Sequence, residues 1–382
     1  MNRRLTARGC AAVVALGLCG FGGWILSLPP APAAGSAPEI DGREAEALVA
    51  ALKPPKRQRP VIAALGINDA TETTDYLMPV GILRRADVAH VLTVATHAGP
   101  VVLYPALQVQ PDATVADFDT RYPDGADYVI VPAMSRDDDP AALAWIRSQA
   151  AKGATVVGVC AGAKVVGAAG LLDGKRATTH WYYLSELRRL SSTAVYIPDR
   201  RLVADRGVAT TTGITASMPM SLALIEAIAG RPRAEAVARD LGVSRWNARH
   251  DSGAFMLTRP FALTVLGNVA AFWNREELGI ELSPGIDEVS LALVADAWSR
   301  TYRSRAVTLA STAAAVESRN GIRIIPDRAS SSRPTDRLLP AVGQRKPAQA
   351  LDQALATIRE RYGQRTAGIV AMQLEYPQQS AP

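Results

Sequence analysis

A short apolar run that ends at a glycine-flanked cysteine constrains this chain more than any other feature. Residues 155–159 read Thr-Val-Val-Gly-Val, which predicts a buried strand, and Cys160 follows directly. Small residues at 163–169 then predict a helix. The pattern Gly158-x-Cys160-x-Gly162 is typical of a nucleophile elbow, a sharp strand-to-helix turn at the end of a parallel sheet.

The elbow makes Cys160 the candidate nucleophile. The flanking glycines permit the sharp turn, and such a turn predicts an exposed, strained side chain. The N-terminus of the following helix is expected to point at the sulfur and to favour the thiolate. His180, further along the chain, is a candidate base.

The bulk composition limits the classes of function. The 382 residues suffice for two domains, and 48% hydrophobic with 20% charged residues is ordinary for a globular protein. The net charge of +6 comes from scattered arginines, which indicates a solvated surface. The acidic stretches at 69–72 and 137–139 have no histidine or cysteine beside them, so we expect solvated loops, no metal and no cofactor.

The N-terminal residues 1–35 predict either a signal peptide or a membrane anchor. Three arginines precede an uncharged run at residues 9–28, and a small-residue segment with a candidate cleavage site at residues 31–33 follows. The positive-inside rule then predicts a periplasmic or other extracytoplasmic location, with residues 9–28 in the inner membrane. Cys10 and Cys19 belong to this segment, so no disulfide is expected in the remainder.

Residues 36–59 predict a polar linker, and residues 60–260 alternate between strands and helices. This alternation predicts an α/β fold: a flavodoxin-like parallel sheet with helices on both faces. The predicted elements are strands at 60–66, 91–96, 101–109 (strand or hairpin), 127–132, 155–159, 195–197, 201–204 and 209–212, and helices at 44–52, 75–86, 140–152 and 217–228.

The last part of the chain, 261–382, predicts a partial second copy of the same α/β unit. Segments beginning at residues 75, 91, 108, 127 and 140 are matched, in the same order, by segments beginning at 288, 306, 323, 336 and 347. A final strand at Gly368–Gln373 falls where the elbow strand would be, and the sequence then stops without a second elbow. The alternative is chance similarity among βαβ units.

Two further motifs follow the elbow in order: Ala-Ala-Gly-Leu-Leu-Asp-Gly at 168–174 and Thr-Thr-His-Trp at 178–181. Together they resemble the DJ-1/PfpI (ThiJ) superfamily, which has a class I glutamine amidotransferase-like fold. Within this superfamily, these motifs are most similar to those of the branch that contains isocyanide hydratases and the sensor domains of AraC-type transcriptional regulators. The resemblance covers roughly residues 60–255.

The resemblance implies roles for individual residues. Asp75 matches the acidic residue of the first βα loop that hydrogen-bonds the cysteine, where it would shuttle a proton; the alternative is an N-cap of its own helix. His180 matches the family's histidine. The backbone N–H of Ala161, with one near Ala133, would stabilise developing negative charge.

Two departures from the family pattern affect the expected pocket. The family usually has Pro-Gly-Gly after the fourth strand, whereas this chain has Pro132-Ala133-Met134, and Met134 is expected to narrow the pocket. Hydratases tend to have a hydroxyl residue after the cysteine, and here that residue is Ala161.

Two functions stay open at this point. The first is a cysteine-dependent hydrolase or lyase, similar to an isocyanide hydratase, acting on a small electrophile. The second is a non-catalytic, ligand-sensing module related to the regulators. Residues 234–251 resemble a helix-turn-helix, but nucleic acid is not expected as a partner. Expected partners are a small molecule, the membrane through the N-terminal segment, and either a second copy of the chain or the chain's own second repeat in an intramolecular pseudo-dimer.

Overall fold

The alternating pattern folds into two α/β lobes. The computed structural model describes residues 19–31, 35–329 and 337–377. The strands are β1 Val61–Gly66, β2 Thr71–Glu72, β3 His90–Ala95, β4 Val101–Tyr104, β5 Gln108–Gln110, β6 Ala113–Thr114, β7 Tyr128–Val131, β8 Thr155–Gly158, β9 Arg176–Ala177, β10 Val195–Tyr196, β11 Leu202–Asp205, β12 Val208–Thr211, β13 Glu276–Glu281, β14 Ser304–Ala310, β15 Val316–Glu317, β16 Arg323–Ile324, β17 Arg328–Ala329 and β18 Arg337–Leu338.

The α-helices complete both lobes. They are α1 (described at residues 19–27), α2 Gly42–Ala51, α3 Thr73–Ala86, α4 Val115–Arg121, α5 Pro140–Ala151, α6 Gly162–Ala168, α7 Leu184–Leu190, α8 Ser217–Ala229, α9 Arg231–Leu241, α10 Arg259–Ala270, α11 Glu288–Ser299, α12 Pro347–Tyr362 and α13 Gln364–Leu374.

The first lobe is built on a seven-stranded sheet in the order β11-β12-β8-β7-β1-β3-β6. Every pairing is parallel except the edge pair of β11 and β12, which is antiparallel. Strand order reverses at β1, because β3 lies on one side of it and β7 and β8 on the other. In such sheets the crevice beyond the carboxyl ends of the strands at this reversal is the usual binding site.

Two apolar layers cover the sheet. Ile62 and Ala64 of β1 pack into one core cluster, and Val61, Ala63 and Leu65 pack into the other. The alternation shows that both faces are buried, as expected for a parallel sheet. The first cluster continues without interruption into α11 and α12 of the second lobe, so the two lobes share a core.

The second lobe has a smaller sheet in the order β17-β14-β13-β18, and all its pairings are parallel. The first lobe has the same arrangement at one side of its sheet, β6-β3-β1-β7. Helices α3 and α11 occupy equivalent places in the two lobes, between the first and second strands of each unit, and they pack against each other.

One hydrogen-bonding motif occurs in both lobes. In the first, Asp112 accepts from the backbone N–H and the hydroxyl of Thr93, and its own N–H donates to that hydroxyl. In the second, Asp327 and Thr308 form the same three bonds. The same three bonds therefore occur at equivalent positions of the two lobes, as the predicted repeat would require.

The capping residues correct one detail of the predicted repeat. Glu72 caps α3 by accepting from the N–H of Asp75, and Asp287 caps α11 by accepting from the N–H of Ser290. Ser290, rather than Glu288, is therefore the counterpart of Asp75. The predicted final strand at Gly368–Gln373 is also wrong, because these residues lie within helix α13. Short apolar runs do not distinguish a buried strand from a buried helix.

The helices α3 and α11 are joined by two reciprocal ion pairs. Arg300, at the end of α11, binds Glu72 at the start of α3 at 2.7 Å. Arg85, near the end of α3, binds Asp287 at the start of α11. Such an exchange of equivalent contacts is the signature of a two-fold interface.

The N-terminal segment differs from its prediction. Among the residues that the structure describes, none of the helices combines the length and apolar character needed to cross a bilayer. This finding overturns the predicted anchor at residues 9–28 and the extracytoplasmic location that depended on it. The arginines at 3, 4 and 8, residues 9–18 and most of the predicted cleavage site lie outside the described residues.

The predicted linker is ordered against the first lobe over much of its length. Helix α2 packs against α8 and β11. Leu52 is fully buried, and its carbonyl accepts from the Tyr128 hydroxyl at 2.7 Å. The polar composition of residues 36–59 did not predict this packing, because only one side of the segment contacts the first lobe.

The helix-turn-helix resemblance is also not realised. Helix α9 is present, but residues 244–250 form no helix where the recognition helix would lie. Arg249 instead pairs with Arg200 in a β-bridge, and its guanidinium binds Glu39 at 2.6 Å. Arg249 therefore serves internal contacts.

Candidate functional site

The elbow forms as a strained turn between β8 and α6. Cys160 has a φ of +57°, a left-handed conformation that is unfavourable for a residue with a side chain. A Cβ at Gly162 would overlap the carbonyl oxygen of Val131, and a Cβ at Gly158 would lie 2.9 Å from Ala163 Cα. Glycine is therefore required at both flanking positions by close backbone packing.

Backbone hydrogen bonds hold Cys160 in place. Its N–H donates to Thr211 Oγ1 at 3.0 Å, and its carbonyl accepts from Thr179 Oγ1 at 3.1 Å. Thr211 is the last residue of β12, and Thr179 is the second residue of the Thr-Thr-His-Trp motif, directly before His180. The turn is thus held by the neighbouring strand and by the loop that carries the family motif.

The predicted exposure and thiolate character of Cys160 are both wrong. The residue is only 4% exposed. Burial raises the pKa of its thiol well above the usual range, and the negative charges of Asp75, Glu72 and Glu375 raise it further. The N–H of Ala161 has the opposite effect, but it does not outweigh burial.

Asp75 lies in the first turn of α3 and is fully buried. One carboxyl oxygen, Oδ2, accepts from the Ala133 N–H at 3.1 Å, and the other, Oδ1, has no hydrogen-bond partner. Burial raises the pKa of this carboxyl well above its usual range, and the neighbouring charge of Glu72 adds to the effect. The protonated form of Asp75 is therefore favoured compared with an exposed aspartate, which makes this carboxyl a candidate proton donor.

Glu72, rather than Asp75, caps helix α3. Its carboxylate accepts from the Asp75 N–H at 2.6 Å and from the Thr74 hydroxyl at 2.9 Å. Its backbone N–H donates to the Ala133 carbonyl at 2.8 Å. Glu72 is only 6% exposed, so its assignment to a solvated acidic loop is corrected.

The second lobe adds charged groups to this network. Arg300 donates to Glu72 at 2.7 Å and to Asp296 at 2.6 Å, and Thr74 donates to Asp296 at 3.4 Å. Burial alone would lower the pKa of Arg300, but the carboxylates of Asp296 and Glu72 raise it above its usual range. Arg300 therefore stays charged inside the protein.

Ala133 and Met134, which follow Pro132 after β7, do not have the roles expected from the sequence. The Ala133 N–H is already donated to Asp75, so it is not free to bind a developing anion. Met134 bridges to Thr71 and packs with the core cluster on the sheet face opposite Cys160. It therefore does not narrow a pocket around the sulfur, and Ala161 is left as the backbone donor at the elbow.

The structure does not place His180 as a base for Cys160. Its Nδ1 accepts from the Tyr182 N–H at 3.2 Å, which caps a short 3-10 helix, and its Nε2 lies 3.0 Å from the Gln373 carbonyl. Burial lowers the pKa of His180 to about 3. His180 is a neutral residue that joins the elbow loop to the C-terminal helix.

Glu375 closes the site from the end of the second lobe. Its carboxylate accepts from the N–H groups of Trp181 at 2.8 Å and Gly213 at 2.7 Å. Burial raises its pKa to about 7, although these backbone donors oppose the shift. His250 Nε2 lies 3.4 Å from the same carboxylate. The segment following α13 is thereby fastened beside the elbow.

Sequence reasoning missed four charged residues that surround the candidate nucleophile: Glu72, Asp296, Arg300 and Glu375. Three of them come from the second lobe or its C-terminal end. The spacing of Asp296 and Arg300 on one helix face, and the N-cap position of Glu72 before α3, were the available signals. No local pattern could show that these residues meet.

Comparison with known proteins agrees with the site motifs. Residues 62–227 match the DJ-1/PfpI family model. The matched region spans most of the first lobe and includes the elbow, so this part of the chain is similar to the DJ-1/PfpI family.

Three curated relatives extend this result. Isonitrile hydratase of Pseudomonas putida is 40% identical over 142 residues, covering 36% of this chain and 59% of that protein. The HTH-type transcriptional regulator CdhR of Pseudomonas aeruginosa is 32% identical over 112 residues, covering 29% of this chain and 33% of the regulator. Protein dj-1beta of Drosophila melanogaster is 25% identical over 180 residues, covering 45% of this chain and 92% of that protein. The chain thus spans 59% and 33% of the lengths of the first two relatives.

Solved structures with a similar fold include Drosophila melanogaster DJ-1beta and a DJ-1 superfamily protein from Salmonella typhimurium. The first has a TM-score of 0.44 and 22% identity, covering 49% of this chain and 100% of that one. The second has a TM-score of 0.43 and 23% identity, with the same coverage.

Proposed function

We propose that this protein is a cysteine-dependent enzyme in which Cys160 adds to a small electrophilic carbon. The observation that carries the proposal is a strained elbow cysteine whose thiol pKa is raised by Asp75, a buried carboxyl with a raised pKa of its own. The Asp75 charge raises the pKa of the Cys160 thiol, and in this proposal the two groups hold one proton between them.

The chemistry follows from this shared proton. The Cys160 sulfur forms a bond to the electrophilic carbon, and the thiol proton passes to the substrate with Asp75 as the relay. Water then adds to the same carbon, the carbon–sulfur bond breaks, and the sulfur recovers its proton. For an isocyanide the net reaction is addition of one water to give an N-substituted formamide, so no oxidant or reductant is needed.

Isocyanides are the first substrate class to test, because a relative named isonitrile hydratase is 40% identical over 142 residues. Aldehydes and amide-like carbons are the next classes. Ala161 replaces the hydroxyl expected after the cysteine, so the proton relay in this chain depends on Asp75 more heavily. The buried sulfur favours compact substrates and requires the surrounding residues to move on binding.

The test is a turnover screen of small isocyanides, aldehydes and amides with the wild type, Cys160→Ser, Asp75→Asn and Cys19→Ser. We expect product from at least one class, loss of about 1000-fold or more with Cys160→Ser, and a strong loss with Asp75→Asn. Cys19 is exposed and distant in sequence from the elbow, so Cys19→Ser should keep wild-type turnover. Equal turnover by wild type and Cys160→Ser would contradict the proposal.

A ligand-sensing module is the second candidate, and the buried, protonated thiol favours it. The similarity to a transcriptional regulator at 32% identity is consistent with this alternative. A compound that raises the melting temperature of wild type and Cys160→Ala equally, without turnover, would favour sensing. A stabilising effect that requires the sulfur would favour the enzyme.

The second lobe supports a further part of this proposal, an intramolecular pseudo-dimer. The reciprocal Arg300–Glu72 and Arg85–Asp287 pairs and the shared core are what an interface between two copies would provide. Light scattering coupled to size-exclusion chromatography should report a single chain. A stable dimer would indicate that a further copy is also used.

A further inference from the structure

The two ion pairs between α3 and α11 are equivalent in position but differ in surroundings. Arg85 binds Asp287 and also Asp240, which is 42% exposed. Arg300 binds Glu72 and Asp296, whose side chains are 8% and 0% exposed. Only the second pair belongs to a closed network.

A continuous chain of hydrogen bonds joins Arg300 to Asp75. Arg300 donates to Glu72 Oε1 at 2.7 Å, and Glu72 Oε2 accepts from the Asp75 N–H at 2.6 Å. Asp75 Oδ2 in turn accepts from the Ala133 N–H, and the Ala133 carbonyl accepts from the Glu72 N–H. The guanidinium therefore fixes the first turn of α3, on which the Asp75 carboxyl depends for its position.

The charges in this network explain why a cation is needed. Glu72, Asp75 and Asp296 bring three buried carboxyl groups together, and Arg300 is the cation among the described residues that pairs with two of them. A carboxylate this deeply buried is strongly unfavourable unless it is paired. Arg300 is occupied by Glu72 and Asp296, so Asp75 has no ion-pair partner among the described residues.

Arg300 also contacts helix α13, which lies over the site together with the residues that follow it. Its backbone carbonyl accepts from Gln373 Nε2 at 3.1 Å, and the Gln373 carbonyl is bound by His180. The groups that act on Cys160 from all sides are thus Asp75, Glu72, Glu375, Tyr183 and Arg300.

We propose that Arg300, a residue of the second lobe, is a positioning residue for the Cys160 site of the first lobe. By binding Glu72 it fixes the start of α3 and keeps Asp75 in place as the proton relay. The second lobe is then a necessary part of the site, although it has no elbow of its own. This inference rests on the proposed function for its turnover readout, and on cysteine reactivity alone for its second readout.

Arg85 supplies a matched control. Arg85→Met breaks the equivalent ion pair on the same interface, at a side chain that is 6% exposed compared with 13% for Arg300. A merely structural role predicts the same consequences for Arg300→Met and Arg85→Met. A positioning role predicts that only Arg300→Met alters the chemistry.

The experiment measures kcat and KM with the best substrate of the screen, and the rate of iodoacetamide labelling of Cys160 against pH, for wild type, Arg300→Met and Arg85→Met. We expect Arg300→Met to lower kcat about 100-fold with little change in KM, because the relay is displaced. We expect its labelling midpoint to move up by about one pH unit, because a positive charge near the thiolate is lost. Arg85→Met should keep the wild-type values.

Unchanged kcat and labelling in Arg300→Met, or equal changes in both variants, would overturn the inference. Where Arg300→Met fails to fold, Arg300→Lys and Arg85→Lys give the same comparison of kcat, since lysine cannot bind Glu72 and Asp296 together. Because lysine keeps the charge, the labelling midpoint of Arg300→Lys should stay near that of the wild type, and Arg300→Gln replaces Arg300→Met for the labelling readout. A wild type that turns over none of the compounds would count against the proposed function. The labelling comparison would still decide whether Arg300 acts on Cys160.

Discussion

The two lobes share a framework but differ at the point where chemistry would occur. Each has a helix capped by an acidic side chain, a Thr–Asp hydrogen-bonding motif and a four-strand core of equivalent order. In the first lobe the chain then continues through α5 to the elbow strand β8. In the second it continues through α12 to a helix, α13, which packs back towards the first lobe.

This difference shows that equivalent positions in the two lobes carry different residues. Ser290 stands where the first lobe has Asp75, so the second lobe has no proton relay of the same kind. Its charged residues Asp296, Arg300 and Glu375 act instead on the first lobe. The second lobe thus contributes residues to the surroundings of the Cys160 elbow in the first lobe.

The largest expected effect concerns the elbow glycine. Gly162→Ala should destabilise the protein by about 3 kcal/mol, because the added methyl group would overlap the Val131 carbonyl and the backbone would have to move. Chemical denaturation monitored by circular dichroism measures this change. Labelling of Cys160 by iodoacetamide should also become faster as the site opens.

Gly167→Ala on the same helix is the control. Its nearest neighbour would be Leu187 Cδ1 at 3.5 Å, an ordinary contact, and alanine is favoured over glycine in a helix by up to about 1 kcal/mol. Equal destabilisation by the two substitutions would show that helix packing, and not the elbow, limits the structure here.

A second prediction tests the equivalence of the lobes. Thr93→Val and Thr308→Val each remove a hydroxyl that donates to an aspartate and accepts from its N–H. Each should destabilise the protein by about 1–3 kcal/mol, because the hydrogen bond from a buried threonine hydroxyl to an aspartate carboxylate is lost. The measurement is the free energy of unfolding in urea. If Thr308→Val left the free energy of unfolding unchanged, the two Thr–Asp motifs would not have equivalent roles in the two lobes.

The sequence predicted the first lobe well because its strands are short, apolar and fully buried. The strands at 60–66 and 127–132 and the helix at 140–152 agree with β1, β7 and α5 to within a residue or so. The elbow was also recognisable, because its glycines are fixed by backbone contacts within a few residues. These constraints act between residues that are close together in the sequence, so the sequence pattern alone can indicate them.

The rest of the site depends on contacts between distant segments. Glu72 was assigned to a solvated loop because nothing nearby in sequence reveals Arg300. His180 was taken as a base because the covering C-terminal segment, which binds both it and Trp181, is far away in sequence. The same C-terminal segment explains why the Cys160 sulfur is buried, although a nucleophile elbow usually exposes its nucleophile.

A third, smaller effect concerns His180 as a link between the lobes. Its pKa of about 3 lies below the ordinary value of 6.5, so the folded protein resists protonation that the unfolded chain accepts. Its contribution to stability is therefore present above about pH 6.5 and is lost as the pH falls towards about 3. His180→Gln should reduce the proton uptake on unfolding by about one between pH 4 and pH 6.

Urea unfolding at several pH values measures this uptake. His90→Gln, at an exposed side chain, is the control for the effect of a His-to-Gln substitution itself. Labelling of Cys160 should respond little to His180→Gln. A loss of turnover as large as that of Cys160→Ser would restore His180 as a catalytic base.

The central claim is that Cys160 and Asp75 share a proton in a site closed by both lobes. The most direct measurement is the rate of iodoacetamide labelling of Cys160 against pH in wild type and Asp75→Asn. We predict slow labelling at neutral pH and a wild-type midpoint above the ordinary cysteine range, because burial and Asp75 both raise the thiol pKa. The midpoint should be lower in Asp75→Asn. An ordinary midpoint that Asp75→Asn leaves unchanged would contradict the claim.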